Sequence, residues 1–295
     1  MASSAIVLAA AFAGPLASAH AAQFELVYEG VPDEAMPSLQ MAVDILAPCL
    51  VSDVPIRVRV QWIERGPSGF AYQAAFRNRD FLPLRDVWYP SALANAFAGE
   101  RLADQDDINI FFSAKTDWYY AGEEAIGEKQ KDMVGVMMHE LGHGLGLSTT
   151  TFTPWQGDPI STLGMPNEYV DYFDYSFALN EQDGTPSVYD SLLRLADGRG
   201  LQDFENGSID LTFAIANPTI HFTGPEATKA NRGYPVGVVP LSLSHAAELP
   251  RQPEPMMADN GSSGTTRRSN DPLALAMLAD LGWTIAPECR TWGEG

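Results

Sequence analysis

The pattern of apolar and polar residues predicts strands and a helix in the first part of the chain. Apolar and polar residues alternate in QFELVYEG, from residue 23, and in PIRVRVQWIE, from residue 55, as is typical of strands. Helical spacing marks DEAMPSLQMAVDILAPCL between them. The apolar run DINIFFSA, residues 107–114, indicates a buried or edge strand. The chain therefore begins as a mixed α and β structure.

The pattern becomes less regular further along the chain. Residues 148–175 are rich in Thr, Pro, Gly and aromatic residues without clear periodicity, which indicates a long surface loop. Helical spacing in SVYDSLLRLADG predicts a helix that stops at Gly198. Alternation in SIDLTFAIANPTIHFTG predicts paired strands.

The segment DPLALAMLADLGW has strong helix signals at both ends. Asp271 can cap the helix N-terminus, and Pro272 suits the first helical position, where a missing N–H costs nothing. Gly282 stands where the helix should end. We therefore expect a final helix over this segment.

The N-terminus and the charge indicate an exported protein. Residues 1–22 contain no charged side chain, hold an apolar stretch from Ala5 to Phe12 and end in small residues, which is typical of a secretory signal peptide. The net charge of -20 therefore belongs to the mature chain, and it opposes binding to nucleic acid or to an anionic membrane surface. No later apolar run is long enough to cross a bilayer. We expect a secreted monomer, extracellular or periplasmic, without stable membrane insertion.

Two cysteines occur, Cys49 near the beginning and Cys289 near the end. An exported chain could join them in an oxidising compartment, and closing so long a loop would stabilise the fold by roughly 5 kcal/mol in the chain-entropy model. Two separate buried thiols are the alternative. The sequence leaves this choice open.

The segment VMMHELGHGLGL, residues 136–147, holds the candidate chemistry. Asp132 can cap a helix that places His139 and His143 on one face. Four residues turn about 40° beyond a full circle and rise roughly 6 Å, so both imidazoles aim at a shared point where zinc can bind. Glu140 points to the side of that point, where it can act as a general base. The same spacing can also arise by chance on a solvated helix face.

The glycines in this segment argue against the chance interpretation. Gly142, Gly144 and Gly146 each cost a helix on the order of 1 kcal/mol relative to alanine, so a purely structural helix gains nothing from them. Gly146 is better explained as the residue that ends the helix in a conformation closed to other residues.

HELGHGLGL resembles the motif of the metzincin zinc endopeptidases, H-E-x-x-H-x-x-G-x-x-H, which a Met-turn follows. The sequence departs from it at Thr149, because a hydroxyl is a poor substitute for imidazole on zinc. In the leishmanolysin-like branch, an insertion separates the glycine from the third histidine. Resemblance to that branch implies that His245 is the third ligand and that Met257, or its neighbour Met256, is the Met-turn residue. His221, in a strand-like segment, is expected to be structural.

The resemblance also implies a fold and an activity. The fold class would be α+β and metzincin-like, with a twisted mixed sheet and the active-site helix in an N-terminal subdomain, residues 23–147. A loop-rich C-terminal subdomain, residues 148–295, would hold the insertion, the third ligand, the Met-turn and the final helix. The activity would be hydrolysis of peptide bonds in a protein or peptide substrate, with Zn²⁺ as cofactor and Glu140 as general base.

Other interpretations of the motif stay open. Glu168 could complete the site as in the gluzincins, and Asp158 could supply an oxygen ligand as in the aspzincins. A non-catalytic, zinc-stabilised binding or adhesion protein on the cell surface would keep the histidines without needing Glu140. The carboxylate favours the enzyme, because Glu140 is not a zinc ligand and its position is otherwise free.

Overall fold

The computed structural model describes residues 20–122, 125–153, 160–164, 183–247, 255–259 and 263–292. Within these ranges the α-helices are α1 (Met36–Leu46), α2 (Ser91–Ala98), α3 (Met133–Gly144), α4 (Ile209–Ile215), α5 (Pro225–Ala230) and α6 (Pro272–Leu281). The strands are β1 (Phe24–Glu29), β2 (Leu50–Val51), β3 (Ile56–Ile63), β4 (Gly69–Gln73), β5 (Ala75–Phe76), β6 (Tyr89–Pro90), β7 (Ile108–Ser113), β8 (Trp118–Tyr119), β9 (Lys131–Asp132), β10 (Leu193–Arg194), β11 (His221–Phe222), β12 (Val236–Val239), β13 (Ser242–Ala246) and β14 (Thr284–Ile285). The fold is mixed α and β, as the sequence predicts.

The first of two four-stranded sheets in the described ranges has the strand order β1-β3-β7-β4. β1, β3 and β7 run parallel, and β4 pairs with β7 in the antiparallel direction. Every residue of β7 is buried, which agrees with the mainly apolar sequence of this strand. α3 packs against α1, β4 and β7, so the sheet supports the helix that carries the histidine motif.

A second sheet lies later in the chain, with the strand order β10-β11-β12-β13 and antiparallel pairing. Its last strand, β13, carries His245. The pairing of β12 with β13 is irregular between Val238 and Val239. An isolated bridge between Ala246 and Ala258 then joins the end of β13 to residues 255–259. Among the described residues, three separate two-stranded sheets are formed by β14 with β2, by β5 with β6, and by β8 with β9.

Several sequence predictions are confirmed. Strands occur at β1, β3 and β7, and helices at α1 and α6. Asp271 caps α6 by accepting a hydrogen bond from the N–H of Leu273, and Gly282 ends the helix with a φ of +116°. No helix in the described ranges is long and apolar enough to span a membrane.

Cys49 and Cys289 form a disulfide with a Cα–Cα distance of 5.4 Å. The bond ties the end of α1 to the C-terminal region of the chain. Beside it, β14 pairs with β2, and the N–H of Ala286 donates to the carbonyl of Cys49. The structure therefore has a disulfide between Cys49 and Cys289, and not the two separate buried thiols that the sequence left open.

The prediction of a helix in SVYDSLLRLADG is wrong. The segment forms a short 3-10 turn over Asp190–Leu192 and then β10, and Gly198 has a φ of +88° in a turn rather than at a helix end. Asp190 is completely buried and binds polar groups from distant parts of the chain. Its tertiary contacts outweigh the helical spacing of the apolar residues.

The prediction of paired strands in SIDLTFAIANPTIHFTG is wrong for the first half of this segment, which forms α4. Ser208 caps this helix by accepting from the N–H of Leu211. Leu211, Ala214 and Ile215 are buried at helical spacing, a signal that the alternating pattern obscured. Only His221 and Phe222 belong to a strand.

Two predictions fall wholly or partly outside the described residues. Residues 1–19 of the predicted signal peptide lie outside them, as does most of the predicted loop over residues 148–175. Both stay predictions. In the described part of the loop, Phe152 and Thr162 form an isolated antiparallel bridge.

Candidate metal centre

Contacts at the N-terminus of α3 and along its buried faces fix the orientation of its two histidines. The carboxylate of Asp132 accepts from the N–H of Gly135 at 3.1 Å and so caps the helix N-terminus. Its apolar residues face the core on several sides; the buried ones are Met133, Val134, Met137, Met138 and Leu141. A helix buried in this way has little freedom to rotate, so His139 and His143 keep one orientation.

The glycines of α3 allow close packing that alanine would block. A Cβ at Gly142 would lie 2.5 Å from Sδ of Met257, and a Cβ at Gly144 would lie 2.3 Å from a methyl carbon of Ile108 in β7. The sequence assigned a role to Gly146 but not to these two. Their role is to let the helix approach its neighbours closely.

Gly146 belongs to the turn that ends α3. Its φ is +120°, which favours glycine. The N–H of Leu147 donates to the carbonyl of Gly142, and the N–H of Gly146 donates to the carbonyl of His143, as in a Schellman motif. This turn places the carbonyl of Leu147 at 2.8 Å from Nδ1 of His143. The helix end therefore supports one of the histidines directly.

The fold brings His139, His143 and His245 together. Each offers one ring nitrogen, and the three nitrogens lie within 4.8 Å of one another. Nε2 of His139 and Nε2 of His143 are 3.0 Å apart. The ring centroid of His245 lies 5.2 Å from that of His139 and 5.0 Å from that of His143. The distant histidine named from the sequence thus closes a group with the two on α3.

Hydrogen bonds on the far sides of the rings decide which nitrogens face the group. Nδ1 of His139 lies 2.8 Å from the carbonyl of Met256, and Nδ1 of His143 is bonded to the carbonyl of Leu147. Because a carbonyl can only accept, each neutral ring carries its proton on Nδ1. The two Nε2 atoms then face each other with lone pairs, an arrangement that a cation would stabilise.

His245 has a similar support. Its Nδ1 lies 2.6 Å from Oγ of Ser242 and 3.1 Å from Oδ1 of Asp259. With Nδ1 occupied in this way, Nε2 is left for the group. Three imidazole nitrogens with hydrogen-bonded far sides fit a zinc ion in both number and donor type.

Burial keeps the histidines in the neutral form that binds metal. Desolvation, followed by the charge of His245, lowers the pKa of His139 to about 4. Desolvation also holds the pKa of His143 well below its usual value. Burial lowers the pKa of His245 too, although the carboxylate of Asp259 opposes that shift. These shifts favour the neutral rings, and a neutral ring is the form that binds a metal ion.

Glu140 is buried, with 4% of its surface exposed, and it lies against β4. A Cβ at Gly69 would come within 2.4 Å of its Oε1, so the strand makes room for the carboxyl group by having glycine there. Among the described residues, Oε2 has no hydrogen-bond partner. Burial raises the pKa of Glu140 to about 8. An unpaired buried carboxyl is costly and is typical of functional sites.

The predicted Met-turn residue packs against the helix that carries two of the histidines. Met257 is buried, and its sulfur lies against Gly142 of α3. Its carbonyl accepts from the N–H of Ala246, while the carbonyl of Met256 bonds His139. The segment 255–259 therefore contacts the helix and the strand that carry the histidines.

His221 and Thr149 are not part of the histidine group. Nδ1 of His221 bonds the carbonyl of Thr219, and His221 does not belong to the histidine group. Thr149 bonds Ser244 and Asp190. Glu168 and Asp158 lie outside the described residues, so those alternatives stay predictions.

Sequence reasoning missed Gly69 and Asp259. Gly69 lies far before Glu140 in the sequence, and no pattern connects the two residues. Asp259 stands two positions after Met257, and a carboxylate so close to a Met-turn is a weak signal for a partner of the third histidine.

A family model described as SPBPB7E8-like matches residues 87–164. The matched segment includes α2, β7 and α3, and therefore His139 and His143, but it ends before His245. Neither the curated proteins nor the solved structures gave a match. The description of the family names no activity, so the chemistry has to be inferred from the site.

Proposed function

We propose that this protein is a zinc-dependent endopeptidase of the metzincin type. The observation that supports this most strongly is the group of three ring nitrogens within 4.8 Å, next in sequence to the buried carboxyl of Glu140. His139, His143 and His245 would hold the ion. Three protein ligands leave a fourth position for water or substrate, as catalytic zinc sites do.

Glu140 is the residue that favours catalysis over a structural zinc site. A bound zinc ion supplies Lewis-acid polarisation of the substrate carbonyl and lowers the pKa of its water toward neutrality. Glu140 accepts the proton of the attacking water and passes it to the leaving amine. Burial raises the pKa of Glu140 to about 8, nearer to neutrality than the pKa of an exposed carboxyl group, which suits a residue that both takes and gives a proton.

The position of β4 supports a peptide substrate. β4 is the last strand in the order β1-β3-β7-β4, and its Gly69 touches Glu140. An extended peptide can add to an edge strand through main-chain hydrogen bonds, independently of its side chains. A peptide that pairs with β4 would place its own backbone close to the proposed base.

Further features agree with this proposal. Met257 packs against Gly142 of α3, and α6 follows it in the chain, as the resemblance to the leishmanolysin-like branch implies. The subdomain division at residues 147 and 148 is part of the same proposal. The disulfide between Cys49 and Cys289 is compatible with a secreted protein.

Cleavage of unfolded casein tests the proposal. The wild type should cleave casein, a chelator should stop the cleavage, and Glu140→Gln should abolish it while zinc stays bound. Glu140→Gln is matched in size, so loss of activity with zinc retained isolates the proton transfer. If the wild type binds zinc but leaves casein and a mixed peptide library intact, the non-catalytic binding protein becomes the better interpretation.

A further inference from the structure

Thr149 occupies the position where the motif would have its third histidine, and it contacts the strand that carries His245 instead. Its N–H donates to Oγ of Ser244 at 2.9 Å. Ser244 directly precedes His245 in β13. Thr149 is therefore bonded to Ser244, the residue directly before His245. His245 is the histidine proposed as the third ligand in place of a histidine at position 149.

Asp190 holds Thr149 in place. Its carboxylate is completely buried and accepts from Oγ1 of Thr149 at 2.5 Å. It also accepts from the N–H of Thr150 at 2.9 Å and from Oγ of Ser187 at 2.8 Å. A buried carboxylate with this many donors has a fixed position, because moving it would leave a charge unsolvated.

Tyr189 contacts β13 at a second point. It is completely buried, and its hydroxyl donates to the carbonyl of Leu243 at 2.6 Å. Leu243 and Ser244 are thus both tied to the same region of the protein. On the other side of His245, the N–H of Ala246 donates to the carbonyl of Met257. Hydrogen bonds therefore hold the chain on both sides of His245.

We propose that Thr149, Tyr189 and Asp190 form an anchor that positions His245 as the third zinc ligand. The inference rests on the proposed zinc site and deepens it. Residues on α3 are positioned by the helix itself, but His245 comes from a short strand with an irregular pairing to β12. The anchor adds hydrogen bonds to Leu243 and Ser244, directly before His245. All three are positioning residues and do not touch the metal.

Single-atom variants test the anchor through zinc affinity. Tyr189→Phe removes the hydroxyl that bonds Leu243, and Ser244→Ala removes the oxygen that bonds the N–H of Thr149. Each should weaken zinc binding about tenfold in a chelator competition assay, the lower end of the range for residues that orient metal ligands. Ser244→Thr keeps the hydroxyl and should restore the affinity.

Matched controls separate positioning from general stability. Tyr89 is a buried tyrosine whose hydroxyl accepts from the N–H of Leu84, and Oγ of Ser38 accepts from the N–H of Ala121. Tyr89→Phe and Ser38→Ala remove comparable bonds from other parts of the fold. Melting temperatures of all metal-free variants give the loss of stability against which zinc affinity is compared.

The outcomes distinguish this inference from the proposed function. Weaker zinc binding in Tyr189→Phe and Ser244→Ala, with unchanged binding in controls of similar stability, supports the anchor. Equal zinc affinity in all variants, while His245→Ala loses zinc, overturns the anchor and leaves the zinc site standing. A wild type that binds no zinc overturns both.

Discussion

At the scale of single residues, the three histidines at the site place one ring nitrogen each within 4.8 Å of the others, as the proposed metal site requires. Nε2 of His139 and Nε2 of His143 face each other at 3.0 Å, and their Nδ1 atoms are bonded to carbonyls. Glu140 keeps a buried oxygen without a partner among the described residues. The facing Nε2 lone pairs and the unpartnered carboxyl oxygen cost stability in a metal-free protein. The proposed metal site gives a reason for keeping them.

The contact between Gly69 and Glu140 gives a prediction at this scale. In Gly69→Ala the new Cβ would lie 2.4 Å from Oε1, so the carboxyl group must move. A displacement of about 1 Å can cost on the order of a hundredfold in rate. We expect casein cleavage to fall by more than tenfold, with zinc content unchanged.

Gly237→Ala is the control for this variant. Gly237 also lies in a strand, and among the described residues its Cβ would meet Ala247 alone, at 3.4 Å, an ordinary contact. Its activity should equal that of the wild type. Full activity in Gly69→Ala would show that the carboxyl group does not need its place beside β4.

The sequence was sufficient to name the two histidines on α3, because helical geometry alone makes residues four apart converge. It named His245 only through resemblance, since nothing local relates residue 245 to the motif. Asp259 and Gly69 could not be named at all. Their roles depend on which strand lies beside which helix, and this is decided by tertiary packing.

At the scale of elements, tertiary contacts override local patterns where polar residues are buried. The segment that contains Tyr189 and Asp190 has helical spacing, yet it forms a short turn and a strand. Asp190 binds Thr149 and Thr150, and a regular helix would draw its backbone away from those donors. By contrast, the ends of α6 carry their own signals in Asp271 and Gly282, and its prediction is confirmed.

The packing of α3 on β7 gives a prediction at this scale. Gly144→Ala would improve helix propensity by about 1 kcal/mol, but the added Cβ would lie 2.3 Å from Ile108. Overpacking of a dense core costs about 1–3 kcal/mol, so we expect a net loss of unfolding free energy. Urea denaturation measures it. A variant more stable than the wild type would show that helix and sheet do not pack this closely.

At the scale of the whole molecule, widely separated parts of the chain are joined. The disulfide links residues 240 positions apart. The histidine group joins α3 to β13, and the carbonyl of Leu145 at the end of α3 accepts from the indole N–H of Trp283 after α6. α3 is thereby connected to elements from the C-terminal part of the sequence, and it also packs against α1 near the beginning.

The disulfide gives a prediction for the molecule as a whole. Replacing Cys49 and Cys289 together with alanine frees a long loop in the unfolded chain and should lower the unfolding free energy by about 3–5 kcal/mol. Guanidinium denaturation with and without a reducing agent measures the loss. The wild type should be sensitive to the reducing agent and the double variant insensitive. Equal stability of the two proteins under oxidising conditions would contradict a stabilising role for the bond.

Zinc content tests most directly whether a distant histidine completes the site on α3. Elemental analysis of purified protein should give about one zinc ion per chain in the wild type and in His221→Ala, because His221 lies outside the histidine group. His245→Ala should lose most of the metal, because two imidazoles on one helix hold zinc weakly. His245→Ala with a full complement of zinc, or a wild type without it, would contradict the account.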